Sequence, residues 1–387
     1  MKKAQDYIPY NPAKIAQNFR KYMLRIKDAE KRSYLVTNIA STEEAKDTAV
    51  LGDFFRPREY IKPREYTSKW TEYWLKAPIE DIWSPKFVGL DENGIQKLEF
   101  QNPPYVAAYR LGGDPREYNT VFTIQVSGCD YLCSFCYVPR IANNPIQAPS
   151  KLFTANEILN YFEKIQGNQG KSALKVIRLS GGEVTSIVPE MIIDISDEIE
   201  SRGLSEQIYL FADTNLSTIE FSHSVKDDLE RIARRKNFGL IGCLKAIGNG
   251  EIGKEDFTLI TGASQKHFQT QFVALDFYIN EVGTDFYLYL IPIISGSNKE
   301  VLNKLRLCFS KLREIHQNLP LRANFLHIAL ERYQASINNI RAAERDNRPL
   351  PKYEEKFVLH TWYNELLARS YPTSLLEKYR CQVPLGG

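Results

Sequence analysis

The sequence predicts an α/β protein, a partial (β/α)6 barrel with an N-terminal extension and C-terminal helices. Three observations predict it. Short apolar runs alternate with amphipathic segments from Val121 to about residue 330, the pattern of parallel strands joined by crossover helices. Roughly six such units occur, short of the eight that close a full barrel. Polar motifs follow the first three apolar runs, where ligands gather in such sheets.

The elements follow in order. "VFTIQVSG" reads as a buried strand and "TANEILNYFEKI" as a helix, with Thr154 and Glu157 at capping-box spacing. "LKVIRLSGGE" is strand then loop. "PEMIIDISDEIESRG" is a helix with Pro189 near its start and Gly203 at its end. "QIYLFADTN" is strand then loop, "SVKDDLERIARRKN" an amphipathic helix and "FGLIGCLKA" a strand. In "HFQTQFVALDFYINEVG", Phe268, Phe272, Leu275 and Ile279 fall at helical spacing and Gly283 stops the helix. "FYLYLIPIISGSN" is strand and loop, "NKEVLNKLRLCFSKLREIHQN" a long helix, and "LRANFLHIAL" the last strand. The expected division is an extension over 1–115, the barrel over 116–330 and helices over 331–387.

Composition bounds the partners. The chain has 387 residues, 43% hydrophobic and 25% charged, with net charge +3. That balance is ordinary for a globular protein and neither demands nor excludes nucleic acid. "MKKAQDYIPYNP" lacks the apolar run of a secretory signal. "FYLYLIPII" is too short to span a bilayer. The expectation is a cytoplasmic protein without a membrane partner. The string PREY occurs at Pro57–Tyr60, Pro63–Tyr66 and Pro115–Tyr118. It reads as proline-initiated turns, or as an aromatic and basic surface for a partner or RNA.

Six cysteines are present, and Cys129, Cys133 and Cys136 crowd into "SGCDYLCSFCYVPR". Structural zinc wants four ligands, and ordinary ferredoxin clusters take four thiolates. Three thiolates on a 4Fe-4S cube would leave one iron open. A zinc site with an improvised fourth ligand is the alternative. Cys243, Cys308 and Cys381 lack the spacing of a second cluster.

C-x3-C-x2-C with an aromatic before the last cysteine resembles the signature of the radical S-adenosylmethionine (SAM) superfamily, here Cys129, Cys133, Phe135 and Cys136. The pattern is most like the pyruvate-formate-lyase activating branch. The resemblance implies one 4Fe-4S cluster, with SAM on its open iron. It also implies reductive cleavage of SAM to a 5′-deoxyadenosyl radical that takes a hydrogen atom from a substrate.

"LSGGEVTS" is similar to that family's GGE motif, so Ser180, Gly181, Gly182 and Glu183 would hold the methionine end of SAM. Phe135 would pack beside the adenine. In "FADTNLST", Asp213 and Asn215 would hold the ribose; an Asx-type cap is the other reading. In "GCLKAIGNG", Lys245 matches a family lysine and would contact the SAM carboxylate, while Cys243 stands where the family has aspartate. His327 would lie near SAM or serve as a core residue. The implied function is a radical SAM oxidoreductase, glycyl-radical-activase-like, or one that modifies tRNA, a peptide or a small metabolite. Its partners would be a flavodoxin- or ferredoxin-type electron donor and a protein substrate. A non-catalytic zinc or Fe-S module is the alternative from another class.

Overall fold

The computed structural model describes residues 9–27, 31–37, 55–59, 103–113, 120–168, 175–326, 334–351, 353–376 and 382–385. In chain order the strands are β1 (Leu24–Lys27), β2 (Lys31–Thr37), β3 (Phe55–Glu59), β4 (Thr120–Gln125) and β5 (Ser150–Phe153). They continue with β6 (Val176–Ser180), β7 (Tyr209–Thr214), β8 (Phe238–Leu244), β9 (Phe286–Leu290) and β10 (Ala323–Phe325).

The main sheet runs β10-β9-β8-β7-β6-β4-β3. Six of its strands are parallel, and β3 joins β4 antiparallel. The parallel strands are neighbours in chain order because each is followed by a helix that returns the chain, as the alternating pattern predicts. Burial along β6 and β9 is nearly continuous, the mark of a sheet covered on both faces. A mixed α/β architecture with a six-stranded parallel sheet flanked by helices is thus established.

The helices begin where side chains satisfy free amides. Thr154 donates from its amide to Glu157 Oε2 at 2.7 Å, and Glu157 donates from its amide to Thr154 Oγ1 at 3.2 Å, opening helix Ala155–Asn168. Ser297 and Glu300 repeat this box at helix Asn298–Ile315. The helix that Gly283 was expected to stop runs from Thr270, widens to π geometry over Phe277–Glu281, and gives way to Gly283 at φ 72°.

Two features were not anticipated. A three-stranded antiparallel sheet, β1-β2-β5, joins the N-terminal segment to the chain just beyond the cysteine loop. Helix Lys254–Thr261 lies within a stretch that carries several glycines. The second and third PREY strings lie outside the described residues.

The two faces of the main sheet are covered differently. One packs the large core against the flanking helices, through residues such as Ile177, Leu179, Leu210, Leu240 and Leu288. On the other face, helix Pro103–Leu111 lays Val106, Ala107 and Ala108 on Val121, Val176, Tyr209, Phe211, Ile241 and Tyr287. These contacts lie toward the N-terminal ends of the strands. Asp285 fastens them: Arg110 Nε donates to it at 2.9 Å and Arg322 Nη1 at 2.7 Å. Strand alternation puts Gln125, Ser180, Asp213, Cys243 and Tyr289 on this second face at the C-terminal ends, with Gln125 beside Ser180 and Cys243 beside Tyr289. No helix among the described residues is long and apolar enough to cross a membrane.

Candidate functional site

Three loops meet at the C-terminal ends of β4, β6 and β7. They meet closely because two glycines allow it. Glu183 donates from its amide to Gly128 O at 2.8 Å. A Cβ on Gly182 would sit 2.1 Å from that same oxygen, so no other residue fits. Gly181 has φ 91°, and a Cβ there would meet Gln125 Oε1 at 2.1 Å.

A buried network then ties the loops together. Glu183 Oε1 accepts from Thr185 Oγ1 at 2.6 Å and from the Ser186 amide at 3.0 Å; its Oε2 accepts from the Asn215 amide at 2.6 Å. Asp130 accepts from Asn215 Nδ2 at 2.6 Å and from Ser217 Oγ. Asp130 is fully buried and Glu183 nearly so. Burial raises both pKa values, and the nearby Glu183 carboxylate adds to the rise at Asp130, which reaches about 7. Hydrogen bonds from Ser217 and Asn215 work against that rise without cancelling it.

The other predicted residues fall around this knot. Asp213 is held by Arg178, whose Nε and Nη2 lie 2.9 and 2.8 Å from it, and it accepts from Ser180 Oγ at 2.7 Å. Asn215 Oδ1 accepts from the Ser217 amide at 3.0 Å, which makes an Asx turn. It does not cap the next helix, whose N-cap is Ile219. Lys245 follows β8 and is 9% exposed. Its Nζ stands 5.9 Å from the centre of the Phe135 ring. Burial disfavours its charge, but attraction to the Cys243, Cys133 and Cys129 sulfurs outweighs burial and raises its pKa. His327 lies outside the described residues.

No protein-family model matches the chain, and no curated protein matches it.

The cysteines require a correction. Among the described residues, no group of three or more Cys, His, Asp or Glu side chains is placed to hold a metal ion. This overturns the 4Fe-4S cluster expected on Cys129, Cys133 and Cys136, and with it SAM as the cofactor. The identification with the radical SAM superfamily falls too, as do the radical SAM enzyme, its iron–sulfur oxidoreductase chemistry, and the zinc or Fe-S module offered as the alternative. The sulfurs take other neighbours. Asn215 Nδ2 lies 3.6 Å from Cys129 Sγ, and the Val138 amide donates to Cys136 Sγ at 3.4 Å. Burial pushes the Cys133 thiol up to about 12 and raises Cys129 and Cys136 as well.

Sequence reasoning missed Asp130, Arg178, Thr185 and Ser217. Asp130 sits inside the quoted cysteine string, where attention to sulfur hid it. Arg178 was visible as a charge in the middle of a buried strand, "VIRLS", which demands a partner.

Proposed function

We propose that the six parallel strands form a partial (β/α)6 barrel whose mouth binds a small molecule through an anionic group, carboxylate or phosphate. One observation carries this reading. The Lys245 ammonium is buried and makes no contact salt bridge with a carboxylate among the described residues; the Cys243 sulfur and the Phe135 ring stand beside it, and the Glu183 carboxylate attracts it only from beyond contact. A buried charge without a counter-charge in contact costs several kcal/mol, a cost that an incoming anion offsets. Gln125 Oε1, buried without a hydrogen-bond donor at the end of β4, would accept from a donor group elsewhere on the same molecule. Phe135 walls the anion's position and Ser180 borders it. Gly181, Gly182, Glu183 and Asn215 set the loops that frame it, and Asp213 is the acceptor the Arg178 pair leaves partly open, with a side chain 24% exposed.

Titration calorimetry with inorganic phosphate and with acetate tests the reading. The protein should bind at least one of them, and Lys245→Met should weaken that binding by about tenfold or more, a charge-assisted contact being worth roughly 1.5–3 kcal/mol. Equal anion affinity in the two proteins sinks the proposal.

A further inference from the structure

The cysteine loop is gripped from a remote part of the chain that no motif singled out. Helix Gln334–Arg345 presents Ser336 and Asn339 on one face, three residues apart, with Asp346 just beyond its end continuing the row. Ser336 Oγ donates toward the carbonyls of Phe135 at 3.3 Å and Cys136 at 3.2 Å. Asn339 Nδ2 donates to Cys136 O at 2.9 Å and to Val138 O at 3.0 Å. Arg140, two residues further along the loop, lies 3.7 Å from Asp346. Ser336 and Asn339 are each 2% exposed, so these donors are spent inside the protein. From the other side the loop is held by amides: Leu132 donates to Thr261 O at 3.0 Å and Ser134 to Ile260 O at 2.8 Å.

We infer that Ser336 and Asn339 are positioning residues for the site, and that the C-terminal helix is part of it. The carbonyls they capture belong to the residues that carry the Phe135 ring and the Cys136 thiol. A loop carbonyl buried against a helix needs a donor, and here the helix supplies donors at successive loop positions. Through Phe135 the helix fixes the wall beside Lys245. Through the Val138 segment it fixes the amide that donates to Cys136 Sγ. Removing the donors should free the loop locally while leaving the sheet and its core intact, since neither side chain belongs to the main apolar cluster.

Thiol labelling of the full chain tests this without reference to any ligand, so its outcome is separable from that of the anion experiment. The rate of iodoacetamide modification is read by peptide mass spectrometry at Cys136. Cys308, wholly buried in helix Asn298–Ile315, is the reference for global unfolding. Asn339→Leu should speed Cys136 labelling by about tenfold or more, as expected for a locally opened segment. Ser336→Ala should give a smaller rise, and Ser336→Thr, which keeps the hydroxyl, should label like the parent. Cys308 should stay slow in all three. Unchanged Cys136 labelling in the variants that fold, or a rise only in step with Cys308, overturns the inference.

Discussion

Two lysines, Lys245 just past β8 and Lys304 inside helix Asn298–Ile315, are treated in opposite ways. Lys304 donates to Asp256 Oδ2 at 2.6 Å, to Ser295 O at 2.9 Å and to Ser295 Oγ at 3.0 Å. Its carboxylate partner is fully buried and its own side chain 14% exposed. Lys245 is as deeply placed, but sulfur and an aromatic face stand beside it, and the Glu183 carboxylate attracts it without a contact salt bridge. The first lysine completes a folded structure: cation, anion and hydroxyl close a set. The second leaves a set open. Burial alone does not separate the two lysines; a counter-charge in direct contact does.

The largest effect should come from breaking the closed set. Lys304→Met leaves the Asp256 carboxylate buried without its cation, and removal of one partner of a buried pair costs roughly 3–5 kcal/mol. Urea unfolding measures it. A loss below about 1 kcal/mol, the range of an exposed pair, would mean that Ser295 alone satisfies Asp256, and the contrast with Lys245 would collapse.

The contrast is sharpened next by asking whether the acids behind the loops neutralise Lys245. Asp130 in the folded protein titrates at about 7, against about 4 in an unfolded chain. Between those values the folded protein holds a proton that the unfolded chain releases. Stability therefore falls as pH rises from about 4 to about 7 and levels above that. Asp130→Asn should flatten this decline in denaturation midpoints taken across the range. A variant profile that matches the parent's would show that Asp130 is already ionised and available as a counter-charge.

The smallest effect belongs to a third lysine, Lys254, which pairs with Glu251 on the surface, where the glutamate side chain is 85% exposed. Glu251→Gln should change stability by less than about 0.5 kcal/mol, since water and salt screen such pairs. A larger change would mean that depth is not what separates these lysines.

The parallel sheet was legible because its signal repeats: each buried run is followed by a helix, and strands adjacent in sequence are adjacent in space. The N-terminal contributions were not legible, because their partners are distant. Tyr34 of β2 pairs with Phe153, and Pro57 of β3 pairs with Phe122; no local pattern announces such pairings. Within the site, Gly181, Gly182 and Lys245 were singled out only through a family resemblance that the structure contradicts, and the close packing of the loops at the two glycines was not read from the sequence. The fate of the cysteines was not legible either. Spacing fixes how near three sulfurs lie along the chain, but burial and the donors around them decide whether they converge. Asp213 shows the same limit, because its partner Arg178 comes from the neighbouring strand.

Helix Pro103–Leu111 has a further consequence. It fills the sheet face near the strand beginnings, so in the proposed barrel that end would be closed, floored by Val106 and its neighbours. A molecule bound at the proposed site would leave by the opening through which it came. Its dwell time would then be governed by the rim, where Asp130, Glu183 and Asn215 bolt three loops into one piece.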